Sequence, residues 1–115
     1  MLKIEKNGNQ YTVQLFQVNK LNTLFSDLVG DQLRVLAQES GSEILFNLEG
    51  IRFIDSSGFR VLIEISELAK KSGSRFKLCN LTEDVKELLN LLSLQGRFES
   101  GTIVSSRERI LAELD

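Results

Sequence analysis

The sequence predicts an α/β fold built on a mixed, mainly parallel sheet, with an N-terminal hairpin and about four helices packed against it. Three observations carry that expectation. Near the start, strand-like runs flank Asn7-Gly8-Asn9, a strong signal for a tight turn between antiparallel strands. In the middle, Glu43-Ile44-Leu45-Phe46-Asn47-Leu48 is a nearly continuous apolar run of strand length, which suits a central strand covered on both faces. Elsewhere apolar residues recur at helical spacing, so that strands and helices alternate after the opening hairpin.

Taken in order, Lys3 to Lys6 and Tyr11 to Val18 form the hairpin, with Tyr11, Val13 and Leu15 alternating against Thr12 and Gln14. A helix follows from about Thr23 to Gln38, capped by Asn22. Leu24, Phe25, Leu28, Val29, Leu33 and Leu36 are expected on its core side, and Gly30 on its polar side. Ser40-Gly41-Ser42 ends it, and the central strand leads through Glu49-Gly50 into a second helix, from about Ser57 to Lys71. There Leu62, Ile65 and Ala69 line the core face, with Val61 and Leu68 adjacent, while Arg60, Glu64, Glu67 and Lys71 group opposite. Phe59 and Ile63 fall on the border between the two faces. Arg75 to Asn80 reads as a strand. Thr82 caps a third helix, with Glu83 and Asp84 in its first turn and a stripe of Val85, Leu88, Leu89 and Leu92. A short last strand is expected near Gly101 to Val104. Ser105-Ser106-Arg107-Glu108 then reads as a capping box before a fourth helix.

Composition narrows the function classes. The 115 residues suit one domain, residues 1–115, and the net charge of −2 offers no basic field for nucleic acid. No apolar run approaches the roughly 18 residues of a membrane span, and the first residues lack a signal-peptide core, so direct membrane insertion is not expected and the cytoplasm is the expected location. Histidine is absent, which removes the usual zinc ligand and the commonest general base. The single cysteine, Cys79, cannot form an internal disulfide and reads as a buried thiol. No Gly-rich phosphate loop and no metal-ligand spacing is present, so no cofactor and no enzymatic activity are expected. A phosphoryl-accepting receiver reading of Asp55 needs a further acidic pair and a downstream lysine in an order that the sequence does not match.

The remaining signal is Ile51-Arg52-Phe53-Ile54-Asp55-Ser56-Ser57-Gly58-Phe59, where the end of an apolar strand meets the start of the second helix. Asp55 and Ser56 are both good N-caps, because a short side-chain oxygen accepts from an orphan N–H of the first turn. Gly58 permits close approach of another backbone or a partner. From the residues alone Ser56 reads as a cap. Its place at the positive end of the helix dipole would also tolerate added negative charge.

This segment resembles the signature of the STAS domain, the fold of bacterial anti-sigma-factor antagonists: an apolar strand end, Asp-Ser-Ser-Gly, then an apolar residue opening a helix. The order of elements agrees over nearly the whole chain. The resemblance implies that Ser56 is phosphorylated by an anti-sigma factor that is also a serine kinase, and that a separate serine phosphatase resets it. It implies partner contacts at Asp55, Ser57, Gly58 and Phe59, and at Asn22, where family members usually carry an acidic residue. Here Lys20-Leu21-Asn22 has no such charge, and Gly58-Phe59-Arg60 stands where Gly-Leu-Gly is common. Asp55 is expected to cap the helix or to orient the Ser56 hydroxyl, and Ser57 to make a second cap or a turn bond. The alternative is a STAS subunit of a membrane transporter of the lipid-trafficking ABC type, or a scaffold in a sensory complex, in which Ser56 only caps a helix.

Overall fold

The computed structural model describes residues 2–104. Strand β1 (Leu2–Asn7) turns at Gly8, which takes a positive φ of 64°, into the antiparallel strand β2 (Gln10–Leu15). Strand β2 then pairs in parallel with β4 (Glu43–Asn47), and β4 with β6 (Arg75–Cys79), giving the sheet order β1-β2-β4-β6. The register sets Tyr11, Ile44 and Phe76 side by side, and likewise Val13, Phe46 and Leu78. Side chains alternate across a strand, so these six share one face, and all six are buried in the main core. Helices α1 (Thr23–Ala37) and α2 (Ser56–Ser72) contribute Val29, Leu33, Leu62 and Ile65 to the same core. Leu45 and Cys79, from the opposite face, are buried apart from it.

The expected class is met: a mixed sheet, parallel except for the hairpin. Among the described residues there are three α-helices, the third being α3 (Glu83–Leu91), and one 3-10 turn at Gln95–Arg97, rather than four α-helices. The fourth expected helix, after Ser105, lies outside the described residues. The last short strand reduces to one parallel bridge between Leu78 and Ile103.

Three expectations need correction. The strand expected to run to Val18 stops at Leu15, because Gln17 takes a left-handed φ of 63° and turns the chain. Gly30 is buried rather than on a polar side. A Cβ there would stand 3.3 Å from Val61 Cγ1, so its bareness serves the close crossing of α1 and α2. Leu24 and Leu28 face outward, since the helix turns Ser26, Val29, Gly30, Leu33 and Ala37 inward instead. On the polar side of α2, Arg34 of α1 reaches Glu64 at 2.6 Å, and Lys70 reaches Glu99 at 3.1 Å.

Candidate functional site

The site is assembled by two strands too short to show in the sequence. Strand β3 (Lys20–Leu21) pairs in parallel with β5 (Phe53–Ile54). The pairing is extended by the Arg52 amide donating to the Asn19 carbonyl at 2.7 Å and the Asp55 amide to the Leu21 carbonyl at 3.1 Å. Each strand runs almost directly into a helix, so the first turns of α1 and α2 are brought together. Both helix N-termini then present orphan N–H groups at one place.

Each end is capped as its sequence directs. Asn22 Oδ1 accepts from the Leu24 amide at 3.1 Å, opening α1. Asp55 caps α2, with Oδ1 accepting from the Gly58 amide at 2.9 Å. Ser56 is therefore the first helical residue and not the cap. The same carboxylate does three further things. Its Oδ1 accepts from the Ser57 hydroxyl at 2.6 Å, and its Oδ2 accepts from the Thr23 amide at 3.0 Å and the Thr23 hydroxyl at 3.1 Å. Asp55 thus joins the two helix starts as well as capping one of them.

Burial works to raise the Asp55 pKa. The hydrogen bonds from Ser57, Gly58 and Thr23 outweigh it and lower the value from 3.8 to about 2. The group is a carboxylate at any ordinary pH, and its lone pairs are spoken for. It makes no hydrogen bond to Ser56, so the expected orienting role falls instead on Ser57.

Ser57 is half-buried and fixed. Besides donating to Asp55, its Oγ accepts from the Ser26 hydroxyl of α1 at 3.2 Å and lies 3.4 Å from the Thr23 hydroxyl. Ser26 is itself buried, and nothing in the periodicity of α1 marked it. Gly58 is also buried, and its role is internal. A Cβ at this position would stand 2.7 Å from the Leu21 carbonyl oxygen and 2.8 Å from Ile54 Cγ2, so the close approach it permits is that of strand β3. Phe59 was expected at a border between faces, with its ring offered to a partner. The ring is buried in the main core, at 2% exposure, because its position on α2 turns it inward.

Ser56 stands in contrast. It is exposed, and among the described residues its hydroxyl has no hydrogen-bond partner. The apolar side chains that are open beside it were not singled out for that role by the sequence. Phe53 is 46% exposed on the outer side of β5, and Leu24 is 78% exposed in the first turn of α1. The strand alternation around buried Ile54 places Phe53 outward, which is the one sequence signal that could have found it. The turn is tied to α3 by Arg52 Nε donating to Asp84 Oδ2 at 2.8 Å and by the Thr82 hydroxyl donating to the Ile51 carbonyl at 2.7 Å. Among the described residues no group of His, Cys, Asp and Glu is arranged to hold a metal ion, and no helix is long and apolar enough to cross a membrane.

Comparison with known proteins agrees with this architecture. The family model described as the STAS domain matches residues 3–109. The anti-sigma-B factor antagonist of Bacillus subtilis (strain 168) is 23% identical over 106 residues, spanning 87% of this chain and 96% of that protein. The anti-sigma F factor antagonist of Paenibacillus polymyxa is 26% identical over 115 residues, spanning 99% and 96%. Among solved structures, the Bacillus cell fate determinant SpoIIAA in its phosphorylated form superposes with a TM-score of 0.68 at 14% identity, each chain being fully covered. At that identity the likeness is one of fold.

Proposed function

From the premise that this chain belongs to the STAS domain family and is homologous to anti-sigma-factor antagonists, we propose that it is a binding protein of the cytoplasm switched by phosphorylation of Ser56. Unmodified, it engages an anti-sigma factor that is also a serine kinase, and so frees a sigma factor. Phosphorylated, it lets the kinase go, and a serine phosphatase resets it. The observation that carries this reading is the state of Ser56 beside its neighbours: an open hydroxyl on the first turn of α2, with Asp55 and Ser57 fully occupied next to it. That SpoIIAA has been solved in a phosphorylated form supports the same reading.

The chemistry asks little of this chain. The kinase would supply the catalytic groups. Ser56 Oγ takes the terminal phosphoryl group of ATP, its O–P bond forming as the bond to the leaving ADP breaks, and the hydroxyl proton passes to a base of the kinase. The product adds roughly −1.5 to −2 charge at pH 7. On the first turn of a helix the dipole accommodates that charge, whereas the carboxylate of Asp55 repels it. With Asp55 held in place by four donors, the strain is not relieved by moving the carboxylate. The modified hydroxyl is felt outward, by whatever covers the turn.

The test is binding of purified wild type, Ser56→Ala and Ser56→Asp to the cognate anti-sigma kinase, with circular dichroism as a check of fold. Wild type and Ser56→Ala should bind, and Ser56→Asp should bind at least about tenfold more weakly while keeping its fold, because desolvated like charge at an interface costs more than 1.4 kcal/mol. Equal binding by Ser56→Asp would reject the switch.

A further inference from the structure

Helix α1 carries an outward row that the fold does not use. Leu24, Leu28 and Val35 stand at i, i+4 and i+11 and are 78%, 47% and 71% exposed. The residue completing the row, Asp31, is exposed, and so is Asp27 beside it. Leu24 to Val35 extends about 16 Å along the helix axis. Scattered exposed apolar residues need no explanation, but three in register on one helix face form an apolar stripe of the kind that lies in a partner's groove. The stripe begins in the same turn as Thr23, which bonds Asp55, so it starts at the Ser56 cluster and leads away from it.

Charge decides what fits. On this helix the only cation near the row is Arg34, and its guanidinium is already shared between Asp31 at 2.9 Å and Glu64 at 2.6 Å. Two copies of the chain facing each other along this stripe would set aspartates near aspartates with no free cation on either helix to answer them. A complementary partner is therefore an apolar groove rimmed by lysine or arginine. We propose that the outward face of α1, through Leu24, Leu28 and Val35 with Asp31 within the row and Asp27 at its edge, docks in such a groove on the same protein that covers Ser56. This rests on the binding function proposed above and extends it: the partner grips a helix as well as the modified turn. Modification of Ser56 opens this continuous surface at one end and so releases the whole of it.

The experiment places a photo-crosslinking phenylalanine derivative at position 28, 35 or 56 of the full chain in its own cells, and identifies adducts by mass spectrometry. A control position, Glu5, lies on the outer strand β1. Positions 28 and 35 should give an adduct with the same protein that position 56 captures, and Asp27→Lys should cut the yield at position 28 about fivefold or more through like-charge contact. Adducts from 56 without any from 28 and 35 would overturn the docking stripe and leave the switch intact. An adduct of positions 28 and 35 with a second copy of this chain would overturn it in favour of self-association. Adducts from all three positions, with those at 28 and 35 undiminished in a Ser56→Asp background, would support the stripe and reject the switch. No adduct at any of the three would overturn both.

Discussion

The inner and outer halves of the helix-start cluster differ in what holds them. The inner half, Asp55, Ser57, Gly58 and Phe59, is bound into the protein: every oxygen of Asp55 is bonded, Ser57 sits among three partners, Gly58 is filled by strand β3, and Phe59 is core. The outer half, Ser56 with Leu24 and Phe53, is exposed. Of the five consecutive residues Asp55 to Phe59, which read as one recognition motif, four are thus bound inward around one open hydroxyl. The family resemblance implied that all of them meet a partner. The side chains exposed at this turn include those of Ser56, Leu24 and Phe53.

Substitutions can break this contrast, beginning with the largest expected effect. Gly58→Val forces the Leu21 carbonyl and Ile54 away from positions 2.7 and 2.8 Å from the new Cβ, so strand β3 must shift. Overpacking of that kind costs about 1–3 kcal/mol, read as a fall in the urea midpoint. A loss below about 0.5 kcal/mol would show that the close approach is not needed.

Asp55→Ala removes a helix cap and the link between the helices, and should cost about 2 kcal/mol in the same measurement. This position also carries a pH signature. Its folded pKa of about 2 lies below the ordinary 3.8, so the unfolded chain takes up the proton first as pH falls. The stability Asp55 provides is therefore complete above about pH 5 and is lost as pH drops through about 2. Solvent screening at this half-buried site leaves on the order of 1–2 kcal/mol. Asp55→Asn should flatten that limb of the stability curve, and an unchanged acid limb would contradict the assignment.

Ser57→Ala deletes the 2.6 Å bond to Asp55 and the link to Ser26, for an expected loss of about 1 kcal/mol. Ser56→Ala should change stability by no more than about 0.5 kcal/mol, since its hydroxyl bonds to nothing among the described residues. Reversal of these last two values would mean that the wrong serine has been taken as the free one.

The sequence carried the sheet better than it carried the site. Tyr11, Val13 and Leu15 alternate, and Ile44 to Phe46 run apolar, because a strand buried on one or both faces must be written that way. Strands β3 and β5 have two residues each, too few to show any period, yet they align the two helix starts. Leu24 and Leu28 fell on the wrong side because α1 has enough leucines to build two stripes, and only the buried Gly30 and Ser26 tell which one faces α2. Asp55 was legible as a cap because caps are local. Its bonds to Thr23 were not, since they join residues 32 positions apart.

The most direct test of the central claim is intact-mass spectrometry of the protein purified from its own cells, with fragment mapping across Ile51 to Leu62. The account predicts a single phosphate on Ser56. A phosphate on Ser57, or a protein that stays unmodified across growth conditions, would contradict it.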